Sequence, residues 1–130
     1  MVDVNCANVA GVTPLLYAAN HGNKALVKVL LDEGADPDKT NNNGCTPLHW
    51  AVNSIANQEV VQLLMAHGAE LNKADNRGWT PLHVAAYHDV EDILNILLDG
   101  GADPTMPKVG RTPLWYRAYR SSLGISKSVI

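Results

Sequence analysis

The tripeptide Thr-Pro-Leu occurs four times, beginning at Thr13, Thr46, Thr80 and Thr112, at intervals of 33, 34 and 32 residues. A short motif at a near-constant period of this length specifies stacked copies of one small unit, not one core closed by long-range connections. Such a stack has no natural catalytic pocket. It offers a long surface made of equivalent positions.

One unit can be read residue by residue. Thr13 suits a helix N-cap through its hydroxyl, and Pro14 suits the first helical turn, where its missing N–H costs nothing. Leu15, Tyr17, Ala18 and Ala19 make a short first helix, whose alanines let a neighbour approach closely. Asn20-His21-Gly22-Asn23 breaks it. A second helix is predicted from about Lys24 to Glu33, with Leu26, Val27, Val29, Leu30 and Leu31 as a wide buried face. Gly34 ends it, since glycine takes the left-handed terminal conformation without strain. The same register returns in Val60, Val61, Leu63, Leu64 and Met65 before Gly68, and in Ile93, Leu94, Ile96, Leu97 and Leu98 before Gly101. Unit two carries one extra residue within 53–58, which predicts a bulged turn there. Pro104 and Pro107 predict a distorted hairpin ahead of the fourth unit.

The bulk properties narrow the function classes. Apolar residues make up 46% of the 130 and charged residues 18%, enough for a packed interior and unlike a disordered tail. With no Phe, that interior must be Leu, Val and Ala. Two cysteines, Cys6 and Cys45, make no disulfide framework, and no apolar run approaches the roughly 18 residues of a membrane span. Met1-Val2-Asp3 is not a signal peptide. The expectation is an intracellular chain, cytoplasmic or nuclear. Charge is uneven. Residues 1–107 hold all 13 acids against five bases, a balance of −8, whereas 108–130 hold Lys108, Arg111, Arg117, Arg120 and Lys127 with no acid, +5.

These residues resemble the ankyrin repeat. Thr46-Pro47-Leu48-His49-Trp50-Ala51 and Thr80-Pro81-Leu82-His83-Val84-Ala85 follow its T-P-L-H-x-A signature. Gly34-Ala35-Asp36 and Gly101-Ala102-Asp103 follow its repeat ending, and Gly68-Ala69-Glu70 nearly does. The resemblance implies an all-α solenoid of antiparallel helix pairs with projecting hairpin loops. It divides the chain into a hairpin tail at 1–10, repeats at 11–43, 44–77 and 78–109, and a partial or capping repeat at 110–130. In the last of these, Trp115-Tyr116-Arg117 stands where the family has His-Leu-Ala.

Enzymatic signatures are missing from the sequence. There is no nucleophile-elbow motif and no Gly-rich phosphate loop with Lys and Ser/Thr. His21, His49, His67, His83 and His88 lack metal-ligand spacing: His49 and His83 are equivalent positions on helices about 8–10 Å apart, too far to share an ion. The resemblance implies that His49 and His83 hydrogen-bond locally at repeat junctions. No cofactor, metal site or catalytic group is expected.

The resemblance implies instead a monomeric protein-interaction module that binds through hairpin tips and the inner face of the first helices. Counting from each Thr gives the candidates. At the hairpin tips stand Asn42 and Asn43, and Asn76 and Arg77. Immediately before the Thr stand Cys45, Trp79 and Arg111. Seven or eight residues after it stand Asn53, Tyr87 and His88, and in unit four Tyr119 and Arg120. Unit three concentrates Arg77, Trp79, Tyr87 and His88, residue types that anchor protein interfaces.

Two other readers are weaker. Some ankyrin domains cage methyl-lysine with a Trp before the Thr and others four residues after it, in successive units. Here Trp50 fits, but Cys45 and Val84 occupy the other places. A nucleic-acid reader would use the basic 108–130 region, whose five charges lack the usual aromatic interleaving. Asn72 also resembles the hairpin asparagine that asparaginyl hydroxylases modify in this family.

Overall fold

The computed structural model describes residues 4–53, 57–88 and 90–103. Among them lie α1 (Pro14–Asn20), α2 (Lys24–Asp32), α3 (Pro47–Ala51), α4 (Gln58–Ala66), α5 (Pro81–Tyr87) and α6 (Glu91–Asp99), with no strand. α1 pairs with α2, α3 with α4 and α5 with α6. The pairs stack in register: α1 on α3, α3 on α5, α2 on α4 and α4 on α6. This is an all-helical solenoid. The expectations for 54–56 and for the fourth unit fall outside the described residues.

Local chemistry explains each start. Thr13, Thr46 and Thr80 are N-caps in extended conformation, each accepting the N–H three residues on, with proline at the start of the helix. In α3 and α5 the histidine closes a reciprocal box. The Thr46 N–H donates to His49 Nδ1 at 2.9 Å, and the Thr80 N–H to His83 Nδ1 at 3.1 Å. The carboxylate usual at this place in a capping box is thus replaced by an imidazole. Behind the caps, Leu15, Leu48 and Leu82 are buried, as are the small pairs Ala18-Ala19, Ala51-Val52 and Ala85-Ala86 that let the helices approach.

Two ladders of side-chain bonds tie unit to unit. At the hairpin tips, Asn42 donates its backbone N–H to Ala10 O and its amide to Val9 O, at 3.0 and 2.8 Å. Asn76 repeats this on Asn43 O and Asn42 O, at 2.9 and 3.1 Å. At the repeat tails, the side-chain oxygens of Asn5, Asp38 and Asn72 accept the N–H of Asp36, Glu70 and Asp103, at 2.7–2.8 Å. The hairpin ladder needs glycine beneath it. A Cβ on Gly44, whose φ is +79°, would stand 2.6 Å from Asn76 Oδ1. Gly44→Ala therefore loses about 1–2 kcal/mol from the left-handed backbone alone, plus whatever the displaced clamp contributes. Urea unfolding of the variant measures the total.

The wide apolar face predicted for α2 is only partly buried. Val27 and Leu31 are enclosed and Leu30 is half-buried, but Leu26 and Val29 are 37% and 55% exposed. Val60 and Ile93, which hold the register of Leu26, are buried. They are covered because α2 lies on α4 and α4 on α6; among the described residues no helix lies on that side of α2. Burial here follows position in the stack, which the repeat pattern does not encode.

Candidate partner-binding surface

The three described hairpins share one construction. Asn8, Asn41 or Asp75 stands at the corner, and its Oδ1 accepts two backbone N–H groups, two and four residues on, at 2.8–3.1 Å. In the third hairpin the corner is a carboxylate, which adds charge. Arg77 Nη2 and Nε reach Asp75 Oδ2 at 2.9 and 3.3 Å. The Asp75 side chain is 1% exposed and that of Arg77 66%. Burial by itself would raise the Asp75 pKa. The backbone N–H of Trp79 and the guanidinium and N–H of Arg77 outweigh it, so the carboxyl titrates below its ordinary range.

From this anchored corner an aromatic line runs to the end of α5. The Arg77 guanidinium lies over the Trp79 ring, 5.0 Å from its centroid. The Trp79 and Tyr87 rings meet edge to face at 5.5 Å, and Tyr87 meets His88 in the same way at 5.4 Å. Trp79 is half-buried and packs against the core, whereas Tyr87 is 60% exposed and His88 is exposed. Cation–ring and ring–ring pairs of this kind contribute about 0.5–1.5 kcal/mol each, so the line holds its shape before any partner arrives.

Main-chain geometry fixes the line to the preceding unit. Because His49 Nδ1 accepts from Thr46, its proton sits on Nε2, which donates to Trp79 O at 2.7 Å. Burial, with help from the charges of Arg77 and Lys73, holds the His49 pKa below its ordinary value despite the Trp79 carbonyl and Asp75, which act the other way.

The structure thus brings Arg77, Trp79, Tyr87 and His88 together. The other sequence candidates have different surroundings. Asn42 and Asn76 are exposed, but their amide donors hold the preceding hairpin. Asn43 is exposed and its carbonyl receives the Asn76 N–H. The half-buried Cys45 points its Sγ toward Asp75 Oδ2 at 3.9 Å, and its thiol pKa is raised, first by burial and then by the Asp75 charge. Asn53 is exposed and accepts from the Asn57 amide at 3.3 Å. Arg111, Tyr119 and Arg120 lie outside the described residues. Tyr17 was not among the candidates, yet it is 57% exposed and stacks on His21 at 4.2 Å. It shares its offset from Thr with Trp50, and that is the sequence signal that could have marked it.

A family model described as ankyrin repeats (3 copies) matches residues 1–75 and 56–129. The chain belongs to the ankyrin-repeat family. Its repeats are similar to a segment of ankyrin repeat protein FPV230 of Fowlpox virus (strain NVSL), 40% identical over 53 residues, which is 41% of this chain and 28% of that protein. They are also similar to the transient receptor potential cation channel subfamily A member 1 homolog of Caenorhabditis elegans, 46% identical over 52 residues, 40% of this chain and 4% of the channel. Palmitoyltransferase AKR1 of Lachancea kluyveri is 39% identical over 51 residues, 39% of this chain and 7% of the enzyme. The match spans less than a third of each of these relatives. What this ankyrin-repeat chain shares with a channel and with a transferase is therefore a stretch of repeats. Ankyrin repeats are, as a class, protein-interaction modules. Among the described residues no three His, Cys, Asp or Glu side chains cluster as a metal site would require, and no helix is long and apolar enough to cross a membrane.

Proposed function

We propose that this ankyrin array is a non-enzymatic scaffold or adaptor that holds a protein partner across its hairpin tips and first helices, with Arg77, Trp79, Tyr87 and His88 at the centre of the contact. The observation that supports it is the pre-assembled line from the Arg77–Asp75 pair through Trp79 to the exposed Tyr87 and His88. A rigid aromatic surface loses little side-chain entropy on binding, which is where affinity is commonly forfeited. The same reading keeps the repeats at 11–43, 44–77 and 78–109, with a hairpin tail at 1–10 and a partial or capping repeat at 110–130. No observation favours a methyl-lysine cage: the Trp79 face is already occupied by the Arg77 guanidinium.

Trp79→Ala removes the middle of the line but keeps the main-chain carbonyl that receives His49. It should weaken the partner by about 2 kcal/mol, roughly 30-fold, as central interface aromatics do. Parallel captures from native extract with wild-type and Trp79→Ala baits identify the partner, and calorimetry with that partner gives the difference. Equal affinity for two baits of equal helicity would refute the reading.

A further inference from the structure

The charges of this chain are unevenly placed within the repeat. Hairpin residues 6–12, 39–45 and 72–79, together with the described residues of α1, α3, α5 and their turns, contain one acid, Asp75, and it is buried and bonded to Arg77. Asp89, in the turn after α5, lies outside the described residues, and the other eleven acids of the sequence lie outside these segments. The cations divide in the same way. Lys24 and Lys28 on α2 are paired, with Glu59 at 3.2 Å and Asp32 at 3.3 Å. Lys39 and Lys73, at the same register in successive hairpins, form no ion pair among the described residues. Lys73 stands two residues before the Asp75 corner of the third hairpin. Arg77 uses Nε and Nη2 on a single carboxylate oxygen, and two-thirds of its side chain faces solvent.

We infer that the partner is an acidic protein segment lying across successive hairpins, its carboxylates against Lys39, Lys73 and Arg77 and an apolar side chain against Trp79 and Tyr87. The inference rests on the interaction surface proposed above and adds the chemistry of its occupant. Charge complementarity selects the sign, because among the described residues of these segments Lys39 and Lys73 form no ion pair and the one carboxylate, Asp75, is buried against Arg77. The spacing favours a peptide over a nucleic acid. Lys39 on the second hairpin and Lys73 and Arg77 on the third, with successive units about 10 Å apart, suit carboxylates interleaved with apolar residues. Duplex DNA carries one charge per about 1.7 Å, far denser than these three cations.

The test is selection of binders from a displayed random library of about twelve-residue peptides, which extended reach about 40 Å, against the full chain. Enriched peptides should carry excess Asp and Glu interspersed with apolar residues, and bind more weakly as salt rises. Lys39→Gln/Lys73→Gln should lower their affinity by about three- to tenfold while leaving the unfolding transition in place. Enrichment of neutral or basic peptides, enrichment of nothing, or tighter binding of a single-stranded oligonucleotide measured in parallel overturns the inference. Trp79→Ala reads the underlying surface separately. If neutral peptides are selected and still require Trp79, the surface stands and only its acidic preference falls.

Discussion

Leu64→Ala should lower the unfolding free energy by about 2–5 kcal/mol, the range for emptying a leucine site in a packed interior. Leu64 is fully buried on α4, the middle helix of the outer row, with α2 on one side and α6 on the other. In a linear array each unit is stabilised by its neighbours only, so a cavity in the middle unit loosens two interfaces at once. Leu30, in the same register on α2, is only half-buried, and Leu30→Ala should cost distinctly less. Denaturant titration of both variants provides the comparison. Equal losses would mean that stack position does not control burial energy here.

The second large effect is a loss of stability on mild acidification, carried by His49. Its folded pKa lies below the ordinary histidine value because the ring is buried, with the charges of Arg77 and Lys73 acting in the same direction. Between the ordinary value, about 6.5, and the lower folded value, the unfolded chain binds a proton that the folded chain refuses. Stability is therefore full above about pH 6.5 and falls below it, by at most about 1.4 kcal/mol per pH unit for one such group. Protonation also takes the Nδ1 lone pair from the Thr46 N–H, so the cap of α3 weakens in the same window. Asp75 acts lower on the pH scale. Its depressed pKa stabilises the fold above the ordinary carboxylate value and is lost as pH falls through the folded one. Unfolding free energies at several values between pH 5 and 7.5, for wild type and His49→Gln, isolate the histidine: the variant should show the shallower slope, and parallel slopes would exclude His49 as the source.

These two effects also show what was legible in the residues themselves. The Thr-Pro start, the apolar second helix and its terminal glycine act over a few residues, so each could be read locally and checked three times along the chain, and the alanine pair twice. The convergence of Arg77, Trp79, Tyr87 and His88 followed from the same count. The duties of individual polar groups did not. Asn42 and Asn76 look like free hairpin tips, yet their amides close a ladder on the hairpin before them. Asp75 and Asn41 hold the same corner, but only the carboxylate gains a guanidinium partner that then lies over a tryptophan.

By itself the sequence determined the unit, its period and the helix starts and stops, because caps, proline, glycine and 3.6-residue periodicity are short-range physics. Only the stacked structure decided which equivalent positions are covered and which donors are already taken. Leu26 and Val60 share a register but differ in exposure, 37% against 1%, since burial depends on whether a neighbouring helix is present. The Trp79 main chain is bound to His49, 30 residues earlier, while the half-buried ring meets Tyr87 edge to face. Both facts come from contacts across unit boundaries, and a repeating pattern treats every boundary as the same.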